Sequence, residues 1–522
     1  MHTPNSLRLR APFALLSLVA FVAGCPGRME VMDVQNPPAD VPSDTTPADV
    51  QPMDATMDDV PTPTDTPAPT DTPAPTDTPA PTDTPIPSDV PSPTCPASPM
   101  EEMVPAGDLM GDRTWDCNRT YRLTGLTFVR GGTLTIRPGT RVIGLGMGAA
   151  LVITRGARID AQGTRNQPIV FTSANPAGMR RQGDWAGLVL LGAAPINVTG
   201  TGVAMGTNNV EGIEATDARG NYGGADAEHN CGTVRYVRIE FAGQGLSMGN
   251  ELNGLTTGGC GRQTTIDFVQ VHQAADDAFE FFGGTHDARH LISTQQDDDG
   301  LDWDFGWNGR AQFVVIQSPP TSGESDPRGI EADNNGANND ATPRSSPTIY
   351  NLTVVGAEGA EPYTQPGIVL RRGTAAAIHN AIVMDYKQGA VDVIDNATVA
   401  LARATPATLF IRNSIFFRNG TDGTTHFTDL SSSAAEGTPA LDENMFFRDA
   451  MWMNRFDADP LLPMATNRTA PVFAPAMASP AATGGATPPA GFDATATYVG
   501  AVAPGATGTA DWTTGWTAFP AN

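Results

Sequence analysis

Two independent markers in the middle of this 522-residue chain advance by the same step. The first is a small residue that opens a short apolar run, at Gly187, Gly254, Ala278, Gly300, Gly329 and Gly367; steps of 24 and 22 residues separate positions 254, 278 and 300. The second is Phe268, His290 and Phe313, at steps of 22 and 23. Markers that share a period bring equivalent residues back to equivalent places, as stacked coils do. Runs such as TVRYVRIEFAG, TTIDFVQVHQ and RAQFVVIQ are strand-length, alternate apolar residues and are bounded by Gly, Asn, Asp or Pro. Few are joined by the two-residue turns of hairpins. The pattern predicts an all-β fold, a single-stranded right-handed parallel β-helix.

Later coils carry Asn351, Asn380 and Asn413 between apolar residues. An inward Asn at a bend would bond its own coil and the Asn above it, which resembles the asparagine ladders of pectate-lyase-like proteins. From about residue 115 onward, "DDAFEFFGGT", "DDGLDWDFGW" and the closing "YVGAVAPGATGTADWTTGWTAF" resemble a broad group of bacterial secreted and lipid-anchored proteins with pectin-lyase-like β-helices. The resemblance implies the fold and an exported location, and brings no activity with it.

The ends agree with export. Arg8 and Arg10 precede an apolar stretch over 11–23 that is too short to span a bilayer, so residues 1–24 read as a signal peptide. Val22-Ala23-Gly24-Cys25 resembles the lipobox of bacterial lipoproteins, in which the cysteine is lipidated. Pro26 follows it, unlike the Asp of inner-membrane retention signals, so an outer-membrane, surface-exposed location is expected with the lipid as the membrane attachment. Residues 25–98 form a Pro/Thr/Asp-rich stalk, with PTDTPA repeated over 63–80, and its twelve Asp and Glu30 face Arg28 alone. The β-helix is expected over 99–455, and 456–522 should pack on it or cap it.

The net charge of −26 argues against nucleic acid and favours cations or uncharged partners. With Cys25 lipidated, four cysteines remain in an oxidising compartment. The expected pairs are Cys95–Cys117 and Cys231–Cys260, although four cysteines allow three pairings.

The acidic coils carry the candidate chemistry. With Phe279 and Phe281 inward, Glu280 points outward, and Asp302 and Glu331 follow by the same alternation. Asp276 should stack on Asp298 and Asp277 on Asp299. Unpaired like charges at that spacing are costly. Calcium would neutralise them, with Asp276, Asp277, Asp298, Asp299, Glu280 and Asp302 as ligands. A second reading makes Glu280 and Asp302 the paired carboxylates of a polysaccharide hydrolase or lyase. The third has the acids capping turns and pairing with Arg289, Arg310 or Arg328. His272, His286 and His290 lie nearby, with His290 expected to stack in the core. Trp185, Trp303, Phe305 and Trp307 could form a sugar platform, and Trp307 is the best placed. No dinucleotide, phosphate-loop or serine-triad signature suggests an organic cofactor or another enzyme class. A binding or structural role at the cell surface, with polysaccharide as the ligand, is the expected function, and an enzyme the alternative.

Overall fold

The computed structural model describes residues 94–247, 250–320, 327–357, 365–427 and 437–521. The signal peptide, Cys25 and nearly all of the stalk lie outside them. The chain winds between two parallel sheets, of ten and sixteen strands. The first holds short strands, among them Gly187–Leu191, Leu255–Gly258, Phe279–Phe282, Leu301–Asp304, Ile330–Ala332 and Ile368–Leu370. The second holds longer ones, including Gly232–Glu240, Thr265–His272, Asp287–Thr294, Arg310–Gln317, Thr348–Val355 and Ala376–Met384. These alternate along the sequence, so each of these coils lays one strand in the smaller sheet and one long strand in the larger, while the first coils lay two short strands in the larger, such as Arg141–Gly144 and Ala157–Gln162.

The pairing Leu188–Leu255–Phe279, with Glu280–Asp302 and Leu301–Ile330–Ile368, puts the six small residues of the first marker in one column. Their smallness has a steric cause. A β-carbon on Gly254, Gly300 or Gly329 would come within 2.4, 2.3 or 2.2 Å of Val271, Ile316 or Val354 across the coil. In the intervening coil the partner of Val271 and Ile316 is Ser293, and there the column carries Ala278. A slightly larger residue thus faces a slightly smaller one, which conserves packed volume.

The second marker marks a corner. Tyr236, Phe268, His290, Phe313, Asn351, Asn380 and Asn413 all have φ between 50° and 63°, and strand pairing on either side aligns them in one column. At Tyr236 the corner is explicit: the strand pairs with Ala157–Gln162 before it and Ile169–Ser173 after it. A left-handed residue breaks the strand's alternation, so Ala288 and Leu291, three apart, both enter the interior core. His290 between them faces outward.

The expected stack therefore forms, but outside the coil. Ring centroids lie 4.4 Å apart for Tyr236–Phe268, 4.0 Å for Phe268–His290 and 4.8 Å for His290–Phe313. Trp516 meets Phe268 edge-on at 6.0 Å and Trp512 meets His290 at 5.0 Å. Left-handed backbone costs roughly 1–2 kcal/mol per residue, which this stacking offsets.

The inward asparagine ladder is likewise corrected. Asn351 donates to the carbonyls of Ala496 and Tyr498, Asn380 to that of Ala486 and Asn413 to that of Gly484. The column binds the C-terminal segment, residues 457–521, along the side of the coils. Gln270 and Gln312 each donate to and accept from one backbone unit there, at Ala518 and Asp493. Arg165 closes its end by donating to the carbonyls of Gly508, Thr509, Asp511 and Thr514. Both disulfides, Cys95–Cys117 and Cys231–Cys260, are present. Among the described residues no helix is long and apolar enough to cross a membrane.

Candidate cation site on the acidic coils

The strands of the ten-strand sheet are straight, so alternation holds along them. Phe279, Phe281, Leu301 and Trp303 lie in the interior core, while Glu280 pairs with Asp302 and Asp302 with Glu331 on the outer face. Asp304, level with Phe282, starts a second row that continues to Asp333.

The turns that enter these strands are tied by their acids. Asn253 Oδ1 accepts the backbone N–H of Asp277 at 3.2 Å. Asp277 Oδ1 accepts that of Asp299 at 2.9 Å, and Asp299 Oδ1 that of Arg328 at 2.9 Å. Each side chain caps the next coil, so Asp277 and Asp299 hold scaffold whatever else they do.

Over the outer face lies an insertion, residues 192–231, containing a small antiparallel ribbon, Asn208–Asn209 with Asn221–Tyr222. The Cys231–Cys260 disulfide anchors its end. Arg219 fixes its tip by pairing with Asp217 at 2.6 Å and Asp108 at 2.9 Å, its guanidinium 3.9 Å from the Phe128 ring centroid. Between insertion and sheet is a cleft of about 530 Å³, lined by Glu211, Glu280, Asp302, Asp304, Phe305 and Arg372 among others. Glu211 shares a hydrogen bond with Glu280, which also accepts from Asn253.

Basic partners sit at one end. Arg328 pairs with Glu331 at 2.5 Å and Asp299 at 3.4 Å; Arg371 pairs with Glu331 and, at 2.8 Å, Asp333; Arg372 reaches Asp333 at 2.6 Å. Of the other expected partners, Arg310 pairs with Asp287 at 2.5 Å and Arg289 donates to the Gly491 carbonyl. Among the described residues no ion pair reaches Asp276, Asp277, Glu280, Asp298 or Asp302. Burial, then neighbouring carboxylates, pushes Asp276, Asp277, Glu280 and Asp302 well above the usual carboxylate range. Burial raises Asp298 to about 7 and Asp304 to about 8. Asp302 Oδ1 is buried with no hydrogen-bond partner.

Three overlapping trios place one oxygen from each member within 4.8 Å of the others: Asp276, Asp277 and Asp298; Asp277, Glu280 and Asp302; Asp299, Asp302 and Glu331. Calcium holds oxygens at about 2.3–2.6 Å, so two ligands of one ion lie no more than about 5 Å apart. The donors are all carboxylate oxygens, which suits a hard cation and not zinc. His272 and His286 are buried apart from these trios and drawn down to about 4 by burial.

Trp307 is not a sugar platform. It is fully buried, its indole N–H donating to the His286 carbonyl at 3.1 Å. Trp185 and Trp303 are buried as well, which leaves Phe305 as the member of that aromatic set bordering the cleft.

The family model for a pectate-lyase-like β-helix domain matches residues 107–447, about two thirds of the chain. The chain belongs to that family. No curated protein and no solved structure matches it. The span of the pectate-lyase-like β-helix includes every acidic coil and the insertion, and ends before the C-terminal segment. Reading alternation two residues past Asp302 would have found Asp304. Glu211 and Asn253 carry no such signal, because only the fold brings them to Glu280.

Proposed function

We propose that this pectate-lyase-like β-helix is a lipid-anchored cell-surface protein with a binding or structural role, whose acidic coils hold calcium. The observation that carries the reading is the uneven charge across one sheet face. Arginines accompany the acids at one end, while Asp276, Asp277, Glu280, Asp298 and Asp302 have no such partner among the described residues. A divalent ion among them would let the carboxylates ionise and would tie neighbouring coils together. The cleft above offers an uncharged, hydroxyl-rich chain such as a polysaccharide a ligand surface of oxygens. Anchoring rests on the short apolar stretch over 11–23 and Val22-Ala23-Gly24-Cys25, which support lipid at Cys25 and display from the outer membrane.

Calorimetric titration of the chelator-treated full chain with calcium tests the site. Saturable binding is expected for wild type, weakened at least tenfold in Asp298→Asn. Absence of heat together with no retention of calcium in equilibrium dialysis refutes it. One observation favours a hydrolase instead: Asp304, protonated up to about pH 8, opens on the cleft, as a general acid would. Release of reducing ends from polysaccharides, abolished in Glu280→Gln or Asp302→Asn, would establish that reading.

A further inference from the structure

Large apolar side chains, methionine included, are ordinarily buried. This fold treats methionine differently. Of the twelve methionines among the described residues, eleven are exposed, from 41% at Met464 to 93% at Met205, and Met384 alone is buried. Among the residues whose side chains are described, the other exposed large hydrophobic is Val472, and no leucine, isoleucine or aromatic residue joins them. Exposing a methionine and exposing a leucine forfeit similar apolar burial. A surface on which the described leucines and phenylalanines are buried or half-buried therefore has no packing reason to display methionine. What sets methionine apart is its thioether, which accepts an oxygen atom. The four cysteines of the described residues are all in disulfides, so thioethers are the readily oxidised sulfur facing solvent.

We propose that the exposed methionines are oxidant-consuming modification sites that react with peroxides while the fold stays intact. In each event the sulfur lone pair attacks a peroxide oxygen, an S–O bond forms and the O–O bond breaks. The thioether is oxidised by two electrons to the sulfoxide, and hydrogen peroxide is reduced and leaves as water. Placement makes the product harmless. Met147, Met179 and Met205 lie in loops, and Met445 and Met451 at the C-terminal end of the coils, where a polar sulfoxide simply meets water; Met453 lies beside them, its sulfur accepting from Asn413 Nδ2 at 3.8 Å, a bond a sulfoxide oxygen can also accept. Met384 would damage packing if oxidised, and it lies in the core beneath the C-terminal segment.

The test treats the full chain with hydrogen peroxide and follows sulfoxide by peptide mapping alongside thermal melts. The eleven surface sites should convert with Met384 at least roughly tenfold slower, and the midpoint should hold within about 2 °C. Replacing Met445, Met451 and Met453 by leucine, at exposed positions that spare the core, should remove three equivalents of peroxide consumption per chain. The proposal is overturned if the midpoint falls in step with surface oxidation, if Met384 reacts as fast as the others, or if the leucine variant consumes as much peroxide as wild type.

Discussion

Replacing Asp302 by asparagine should have opposite effects in chelator and in calcium. Asp302 sits between Glu280 and Glu331, with oxygens of Asp299 and Glu331 within 4.8 Å of its own. At that distance and an effective dielectric near 20, two like charges repel by about 3.5 kcal/mol. Protonation of a neighbour relieves part of this, so the neutral amide should stabilise the metal-free protein at pH 8 by roughly 1–3 kcal/mol. Unfolding entropy of about 2.1 cal/mol/K per residue over roughly 420 residues converts 1 kcal/mol into about 1 °C. The Asp302→Asn midpoint in chelator should therefore rise by about 1–3 °C. Calcium at a hundredfold excess over its dissociation constant should stabilise wild type by about 2.7 kcal/mol, or about 3 °C, and the variant much less. Differential scanning calorimetry of both proteins in both buffers gives the four midpoints. If Asp302→Asn loses the same stability in calcium and in chelator, Asp302 is a structural acceptor and the cation reasoning is wrong.

The pH dependence follows from the same acids. Their folded pKa values lie above the unfolded ones, so their stabilising contribution is complete below about pH 4 and is lost as pH rises through about 7 for Asp298 and about 8 for Asp304. Metal-free melts should fall from pH 5 to pH 9, and calcium, which needs ionised ligands, should flatten that slope. Asn380→Ala removes a donor to and an acceptor from Ala486, and should cost about 1–3 kcal/mol with faster hydrogen exchange in 457–521 but not in the interior strands. Phe268→Ala empties the centre of the outer stack; a loss of about 3–5 kcal/mol and red-shifted emission from Trp512 and Trp516 are expected. Cys25→Ala, expressed with labelled fatty acid, should lose both label and membrane retention; unchanged incorporation would refute the anchor.

Where strands are straight, the outward face was legible from alternation alone, and Glu280, Asp302 and Glu331 fall on it as expected. Where the strand turns a corner, the same rule misplaced side chains. The period correctly paired Phe268, His290 and Phe313, and nothing in their identity announced a positive φ, which is uncommon for Phe or His. Asn351, Asn380 and Asn413 suit that conformation better, and they share the column with the aromatics. Their common corner would have revealed the outward direction. Trp307 misled for a related reason: it follows the strand Leu301–Asp304, and the turn returns its ring to the interior beside Phe281, 4.9 Å away. The insertion over the cleft interrupts the period between Gly187 and Gly254, so no repeat could have placed Glu211.

The way the C-terminal segment is held also sets which changes it tolerates. Gln270, Gln312 and Asn380 each engage both the N–H and the C=O of a single residue, at Ala518, Asp493 and Ala486. Groups that read main chain are indifferent to the side chain attached to it. The segment's sequence can drift at these three positions without loosening its grip, provided the tryptophans that cover the corner stay. Proline is barred there, because it alone arrives without the N–H that each amide oxygen requires.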